Sequence, residues 1–238
     1  MKTRMKRTLP ILVLFTFALA LSACGGAIET QTRQVSGFDR VDISTFGEFI
    51  ITQGDTESLS IEGPADYLRY LVTEVNNGTL TISQRRGLLS SPNRKVTFTL
   101  TVRDLTSLSM SGAGSIKLGT LNTPSFKLIL SGAGSVDMVN LSAESLDVTL
   151  SAAGAISVDG KVTSQNIILS GVGSYDAGEL ESASTRITLS GAGSATVWVT
   201  EKLEADVTGV GSVAYYGQPT SIIQNVPGLG SIRSFGTK

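Results

Sequence analysis

The sequence predicts an all-β fold, a parallel β-solenoid with irregular cap strands at its N-terminal end. Three observations carry this. The 238 residues include 26 glycines and only 16% charged residues, a composition that suits strands and corners, because glycine weakens helix interiors. A glycine-serine phrase, SGAGS in its commonest form, recurs seven times, and a repeat near 20 residues marks a stacked architecture. The segments flanking each phrase alternate apolar and polar residues, the pattern of strands with one buried face.

Residues 1–23 read as a targeting segment. Lys2, Arg4, Lys6 and Arg7 precede the apolar run ILVLFTFALAL (Ile11–Leu21), which is too short for a stable membrane span. The run ends in LSAC, with the chain's one cysteine at Cys24. Small residues before a cysteine resemble the lipobox of bacterial lipoproteins, which is cut ahead of that cysteine. Cys24 is then the lipidated first residue of the mature chain, held in the membrane by acyl chains such as palmitate. An ordinary signal peptide followed by an unrelated cysteine is the alternative. Gly25 in place of Asp resembles the outer-membrane sorting pattern of a bacterium with two membranes. Residues 24–35 read as a lipidated tether. Cleavage removes four of the 19 Lys and Arg and none of the 20 Asp and Glu, so the mature chain is acidic, which disfavours nucleic-acid binding.

Residues 36–238 read as one β-solenoid domain, of which 36–104 form the N-terminal cap and irregular coils. FDRVDI, EFIITQ, SLSIEG and VTFTLTV are strand-like, Asn77-Gly78 signals a hairpin, and PADYLRYL has room for one helical turn. A cap is expected because a bare end coil exposes apolar surface and unpaired strand edges.

In residues 105–238 the phrases start at Ser111, Ser131, Ser151, Ser170, Ser190, Thr208 and Pro227, at steps of 20, 20, 19, 20, 18 and 19 residues. Stacked on these starts, one column reads Lys127, Asp147, Asn166, Arg186, Glu204 and another Lys117, Asp137, Ser157, Asp176. Neither puts like charges on neighbouring rungs, as a parallel stack with ~4.8 Å between strands requires. An antiparallel meander is the weaker alternative, since regular two-residue turn signals are missing. The phrase is then a corner. The middle residue of each copy (Ala113, Ala133, Ala153, Val172, Ala192, Val210, Leu229) is apolar and expected to point inward, and the flanking serines to form hydroxyl ladders. The second glycine of every copy (Gly114, Gly134, Gly154, Gly173, Gly193, Gly211, Gly230) should be the least replaceable residue, either for a positive φ or for a tight turn without a Cβ clash.

GFDRVDISTFGEFIITQGD (Gly37–Asp55), NNGTLTI (Asn76–Ile82) and the serial SGAGS phrases, together with the lipobox, resemble the putative auto-transporter adhesin "head GIN domain" family, from about Gly37 onward. The resemblance implies a right-handed parallel β-helix on a bacterial cell envelope with an adhesive role. Auto-transporters anchor through a C-terminal membrane barrel; here lipid on Cys24 is expected to serve instead.

Chemistry has little material. Gly132-Ala-Gly134 lacks the third glycine and the helix of a dinucleotide loop, and the aspartates have the wrong spacing for calcium repeats. With no histidine, Ser–His and Cys–His nucleophiles are excluded, and no cofactor or metal is expected. Asp137 and Asp176, two rungs apart, could serve an inverting glycosidase, but two solvated surface charges are the favoured reading. Trp198 and Tyr216 fall at equivalent positions of adjacent copies, where others carry Gly119, Val139, Asp159 and Gly178. Such aromatics can present flat faces to a sugar or protein, although packing between coils is their commoner fate. Gln84–Lys95 gathers four basic residues in a solvated loop. The leading expectation is a non-catalytic, lipid-anchored envelope protein that binds a glycan or protein. Self-association into a homo-oligomer is the second, and a carbohydrate-active enzyme the third.

Overall fold

Alternation at period two, reset once per coil by a glycine corner, is what the chain builds on. The computed structural model describes residues 27–85 and 95–238. The signal segment, Cys24 and nearly all of the basic loop lie outside the described residues. Seventeen strands join in one sheet that winds as a β-solenoid. The long strands β11 (Ala133–Leu150), β12 (Ala153–Leu169), β13 (Val172–Leu189) and β14 (Ala192–Val207) each run almost a full coil, and each is parallel to the next. Two residues of the phrase separate each strand from the following one.

Inside, side chains stack in columns. Leu130, Leu150, Leu169, Leu189 and Val207 are in register and buried, as are Ile116, Val136, Ile156, Tyr175, Ala195 and Val213. Each fully buried aliphatic side chain contributes roughly 1.5–3 kcal/mol relative to exposure. Outside, the polar columns follow the expected register. Asp147 accepts from Asn166 at 3.2 Å, Arg186 meets Glu204 at 2.7 Å, and Lys161 meets its rung partner Glu181 at 2.9 Å.

The corner is held by backbone rather than by a ladder of hydroxyls. The carbonyl ahead of each phrase accepts N–H bonds from the next: Leu189 O takes those of Thr208 (2.9 Å) and Gly209 (3.1 Å), and Leu169 O those of Ser190 (2.9 Å) and Gly191 (3.2 Å). Of the two reasons for glycine, close approach governs this column. A Cβ on Gly134 would stand 2.1 Å from the Gly114 carbonyl oxygen, and one on Gly173 2.2 Å from that of Gly154 and 2.9 Å from Leu150 Cδ2. Among the seven second glycines, Gly114 alone has a φ in the positive range, at 141°.

The middle residue does not point inward. All seven are exposed, the larger ones most plainly, with Val172 at 65%, Val210 at 56% and Leu229 at 83%. The reason is parity. Gly112 and Gly114 share the inward phase of Ile116 and Leu118, which leaves Ala113 in phase with solvent-facing Lys117.

The N-terminal region is a cap with one coil threaded through it. β2 (Arg40–Ile43) and β3 (Phe46–Gln53) stack on β8 (Ser107–Met110) and β9 (Ala113–Leu118), so Thr45-Phe46-Gly47 is a degenerate corner that precedes the seven. On their other side lie β6 (Thr79–Gln84) and β7 (Thr97–Val102). The outermost coil is thus formed later in the chain than the one it covers. β5 (Leu71–Asn76) closes it as an antiparallel hairpin through Asn77 and Gly78, both at positive φ (50° and 76°). β4 (Ser58–Pro64) runs antiparallel to β7, followed by the single turn α1 (Ala65–Leu68). The tether reading needs correction: Ile28–Arg33 is a strand, β1, paired antiparallel along its whole length with β4. An outer edge strand requires backbone pairing more than apolar side chains, so the polar ETQTR concealed it.

The corner geometry sets an expected outcome. Gly173→Ala should lower stability by about 3 kcal/mol, the upper end for overpacking, or roughly 10 °C in Tm for a chain of this size. Ala133→Ser, on the exposed side of the same phrase, should leave the thermal melt unchanged.

Candidate functional site

Regular rungs offer few recesses, so the informative places are where the register breaks. β13 pairs with β14 rung by rung until Ala177 meets Val197, and the next pair is Glu181 with Trp198. Gly178, Glu179 and Leu180 are therefore extra residues that bulge from β13. Leu180 turns into the core, while Asp176 Oδ1 accepts the Gly178 N–H at 3.1 Å, which ties off the bulge. This moves one expected correspondence: Trp198 stands beside Glu181, not Gly178. Trp198 and Tyr216 are rung neighbours as expected, the last pair of the ladder between β14 and β15 (Val210–Tyr216). Both are half-buried, between the two fates open to them.

The next coil adds a third ring. In β17 (Leu229–Gly236), Ser234 pairs with Tyr215 and Gly236 with Tyr216. Phe235 is the bulged residue between them, and a bulge re-aims its side chain. It meets Tyr216 edge-on, with centroids 5.3 Å apart at 60°. On the other side Tyr216 lies over the bulge, its Cε2 only 3.4 Å from where a Gly178 Cβ would be. The bare glycine makes room for the ring.

Lys238 closes the arrangement. Its ammonium sits 5.1 Å from the Trp198 ring centre and 5.4 Å from that of Tyr216. It donates to the Gly178 carbonyl and pairs with Glu179 Oε1 at 2.5 Å. Sequence reading missed Gly178, Glu179, Phe235 and Lys238. One signal was available: the step from Ser190 to Thr208 is 18 residues where the preceding one is 20, which marks where residues must loop out.

Beneath Trp198 the core turns polar. The column Phe126, Leu146, Gln165, Thr185, Leu203 carries two polar side chains among apolar ones, and both are buried. Tyr175 Oη donates to Gln165 Oε1 (2.8 Å), Gln165 Nε2 to Ser182 Oγ (3.0 Å), and Ser182 Oγ to the Trp198 carbonyl (2.7 Å). With Thr185 donating to Ser182 Oγ (2.8 Å), Ser182 accepts two bonds and donates one, so the chain has a single direction. Burial pushes the Tyr175 phenol far above its ordinary pKa, which keeps it a donor. This network fixes the backbone from which Trp198 projects.

Other candidates are placed plainly. Asp137 and Asp176 share a column with Ser157 between them, and Asp176 is occupied as the cap of the bulge. At the N-terminal end, a concave surface is lined by Phe46, Val96, Ala113 and Glu48. Glu48 there is paired with Lys117 at 2.9 Å and Lys95 at 3.8 Å; the Lys117 hydrogen bond and charge hold its carboxyl below the usual range. Among the described residues no group of three or more His, Cys, Asp or Glu could hold a metal ion, and no helix is long and apolar enough to cross a membrane.

A family model described as "Putative auto-transporter adhesin, head GIN domain" matches residues 37–219. The chain belongs to this family. Among solved structures, the head GIN domain here is similar to a putative adhesin from Bacteroides fragilis, with 27% identity, a TM-score of 0.86, and 89% of this chain and 98% of that one covered. A putative lipid binding protein from Parabacteroides distasonis (23% identity, TM-score 0.62, 88% and 97% covered) and a putative adhesin from Parabacteroides merdae (18% identity, TM-score 0.57, 88% and 96% covered) share the fold. No curated protein matches.

The polar network is testable by a double-mutant cycle. Gln165→Leu restores the residue type of its column neighbours yet orphans the buried Tyr175 hydroxyl, so it should cost about 2 kcal/mol in urea melts. Adding Tyr175→Phe should recover part of that loss, whereas purely additive losses would mean that the two side chains are uncoupled.

Proposed function

We propose that this head GIN domain is a lipid-anchored, non-catalytic adhesion module of the bacterial envelope, whose contact face is the aromatic column Trp198–Tyr216–Phe235. The observation that carries the reading is this column itself: three rings from three successive coils, side by side on parallel-paired strands. Aromatic faces on a rigid support bind sugars or protein side chains with little ordering cost. The adhesin naming of the family and of the Bacteroides fragilis neighbour supports an adhesive role. The basic n-region and LSAC sequence support export and lipidation at Cys24, and Gly25 supports an outer-membrane address.

Cys24→Ser should abolish palmitate labelling and release the protein from the membrane fraction; labelling that persists overturns the anchor. In whole-cell binding to envelope glycans and surface proteins, Trp198→Ala/Tyr216→Ala should lower attachment about tenfold, a loss of roughly 1.4 kcal/mol. Attachment that survives at full strength overturns the contact face.

A second reading, self-association, is favoured by the last coil. The N-terminal end is covered by antiparallel strands, whereas β16 (Ser221–Asn225) is exposed at every residue and leaves Ile222 and Ile223 in solvent. Its register partner among the described residues is β14 alone, so its outer edge is free to template another strand. Light scattering should show mass rising with concentration, and Ile223→Lys should remove that rise. A mass independent of concentration sinks this reading.

A further inference from the structure

The aromatic column has a chemical preference that its position alone does not reveal. The Lys238 ammonium is met from several directions by groups suited to a cation: the faces of Trp198 and Tyr216, the Gly178 carbonyl and the Glu179 carboxylate. The ring distances of 5.1 and 5.4 Å fall within the range over which an aromatic quadrupole attracts a cation. Two N–H donors are satisfied by oxygen and the remainder of the head group faces the rings.

The walls stand without Lys238. The bulge that offers the Gly178 carbonyl and Glu179 is tied by Asp176. The Trp198 backbone is fixed from within by Ser182, and Tyr216 is wedged between Phe235 and the bare Gly178. Lys238 itself arrives two residues beyond the end of β17 and remains 24% exposed, and Glu179 is 75% exposed. A preformed recess thus holds a side chain that can leave it by rotating into solvent.

We propose that this recess is a binding site for a primary alkylammonium group and that Lys238 is its built-in occupant. A ligand amine enters by displacing Lys238, so the tethered lysine sets the threshold concentration for binding. The inference rests on the aromatic column as the contact face and names what that face recognises: an amine-bearing group, whether a lysine side chain or an ethanolamine head group.

Trp198 is the one tryptophan of the chain, so its emission reports on the site directly. The full chain with Lys238→Met keeps an unbranched side chain, shorter by the terminal atom, and empties the recess of charge. Titration with n-butylammonium chloride, against sodium chloride at equal ionic strength and against neutral n-butanol, should give a saturable change in Trp198 emission. Half-saturation is expected at about 1 mM, and the unaltered chain should need about tenfold more because its own lysine competes at an effective concentration on the order of 10 mM. Glu179→Gln in the Lys238→Met background should weaken the response about tenfold. Acetyl-lysine methylamide and ethanolamine, run as separate arms, distinguish a peptide source from a head-group source. Circular dichroism confirms that each variant is folded. An emission in Lys238→Met that follows sodium chloride alone overturns the site, as does an equal response from the unaltered chain. Envelope attachment that depends on Trp198 while its emission ignores amines defeats this inference and spares the adhesive reading; the reverse result does the opposite.

Discussion

The contact on which the structure depends is backbone against backbone at the corner. At each coil the Cα of a phrase glycine faces the carbonyl oxygen of the phrase beneath it, so closely that an added Cβ would fall between 1.8 and 2.6 Å from that oxygen at Gly132, Gly134, Gly193 and Gly154. No side chain mediates the contact, so it carries no sequence information beyond the absence of one. Its consequence is a fixed rise at that corner. Once the rise is fixed, every column inside and outside the wall is in register, and the leucines ahead of each phrase fill the space that the missing side chains leave, as Leu130 does beside Gly154. Ala152 shows that the first glycine position tolerates one methyl, whereas the second position is glycine in all seven copies.

A stack locked in this way can vary only between corners. Extra residues cannot be absorbed by shifting a coil, so they are taken up in a bulge, and β13 places Gly178, Glu179 and Leu180 between its Ala177 and Glu181 rungs beside a coil that is shorter by two. The bulge, the aromatic rings and the buried polar network lie in adjoining coils, from β12 to β17. Ser182 follows the bulge, faces the core and bonds the Trp198 carbonyl, so that buried backbone group is met from inside. Polar side chains in the core are thus the counterpart of an irregular wall, and the irregular wall is where a ligand finds a recess.

This explains what the sequence discloses and what it hides. Period-two alternation disclosed the strands, and the charge columns disclosed the parallel register, down to Arg186 over Glu204. The outward turn of Ala113 and its equivalents was also legible, since counting back from buried Ile116 by twos lands on Gly114 and Gly112; treating the glycines as a break in the count misplaces it. Other features are hidden for physical reasons. The edge strand β1 is held by pairing with β4 and needs no apolar face. The cap is non-sequential, with β6 and β7 outside β2 and β3, and local patterns carry no trace of spatial order. The recess draws on residues as distant as Gly178 and Lys238, which only the winding of the coils brings together.

The two ends of the solenoid are therefore finished in different ways. The N-terminal end is closed by strands that reverse direction, so no parallel edge is left to continue the stack. At the other end Pro227 occupies the first position of its phrase, where the copies before it place a residue whose N–H donates to the coil beneath, and among the described residues the apolar side chains of β16 lie exposed. Lys238 reaches back across this coil to Gly178 and Glu179, so the recess draws its occupant from the same last turn that supplies Phe235.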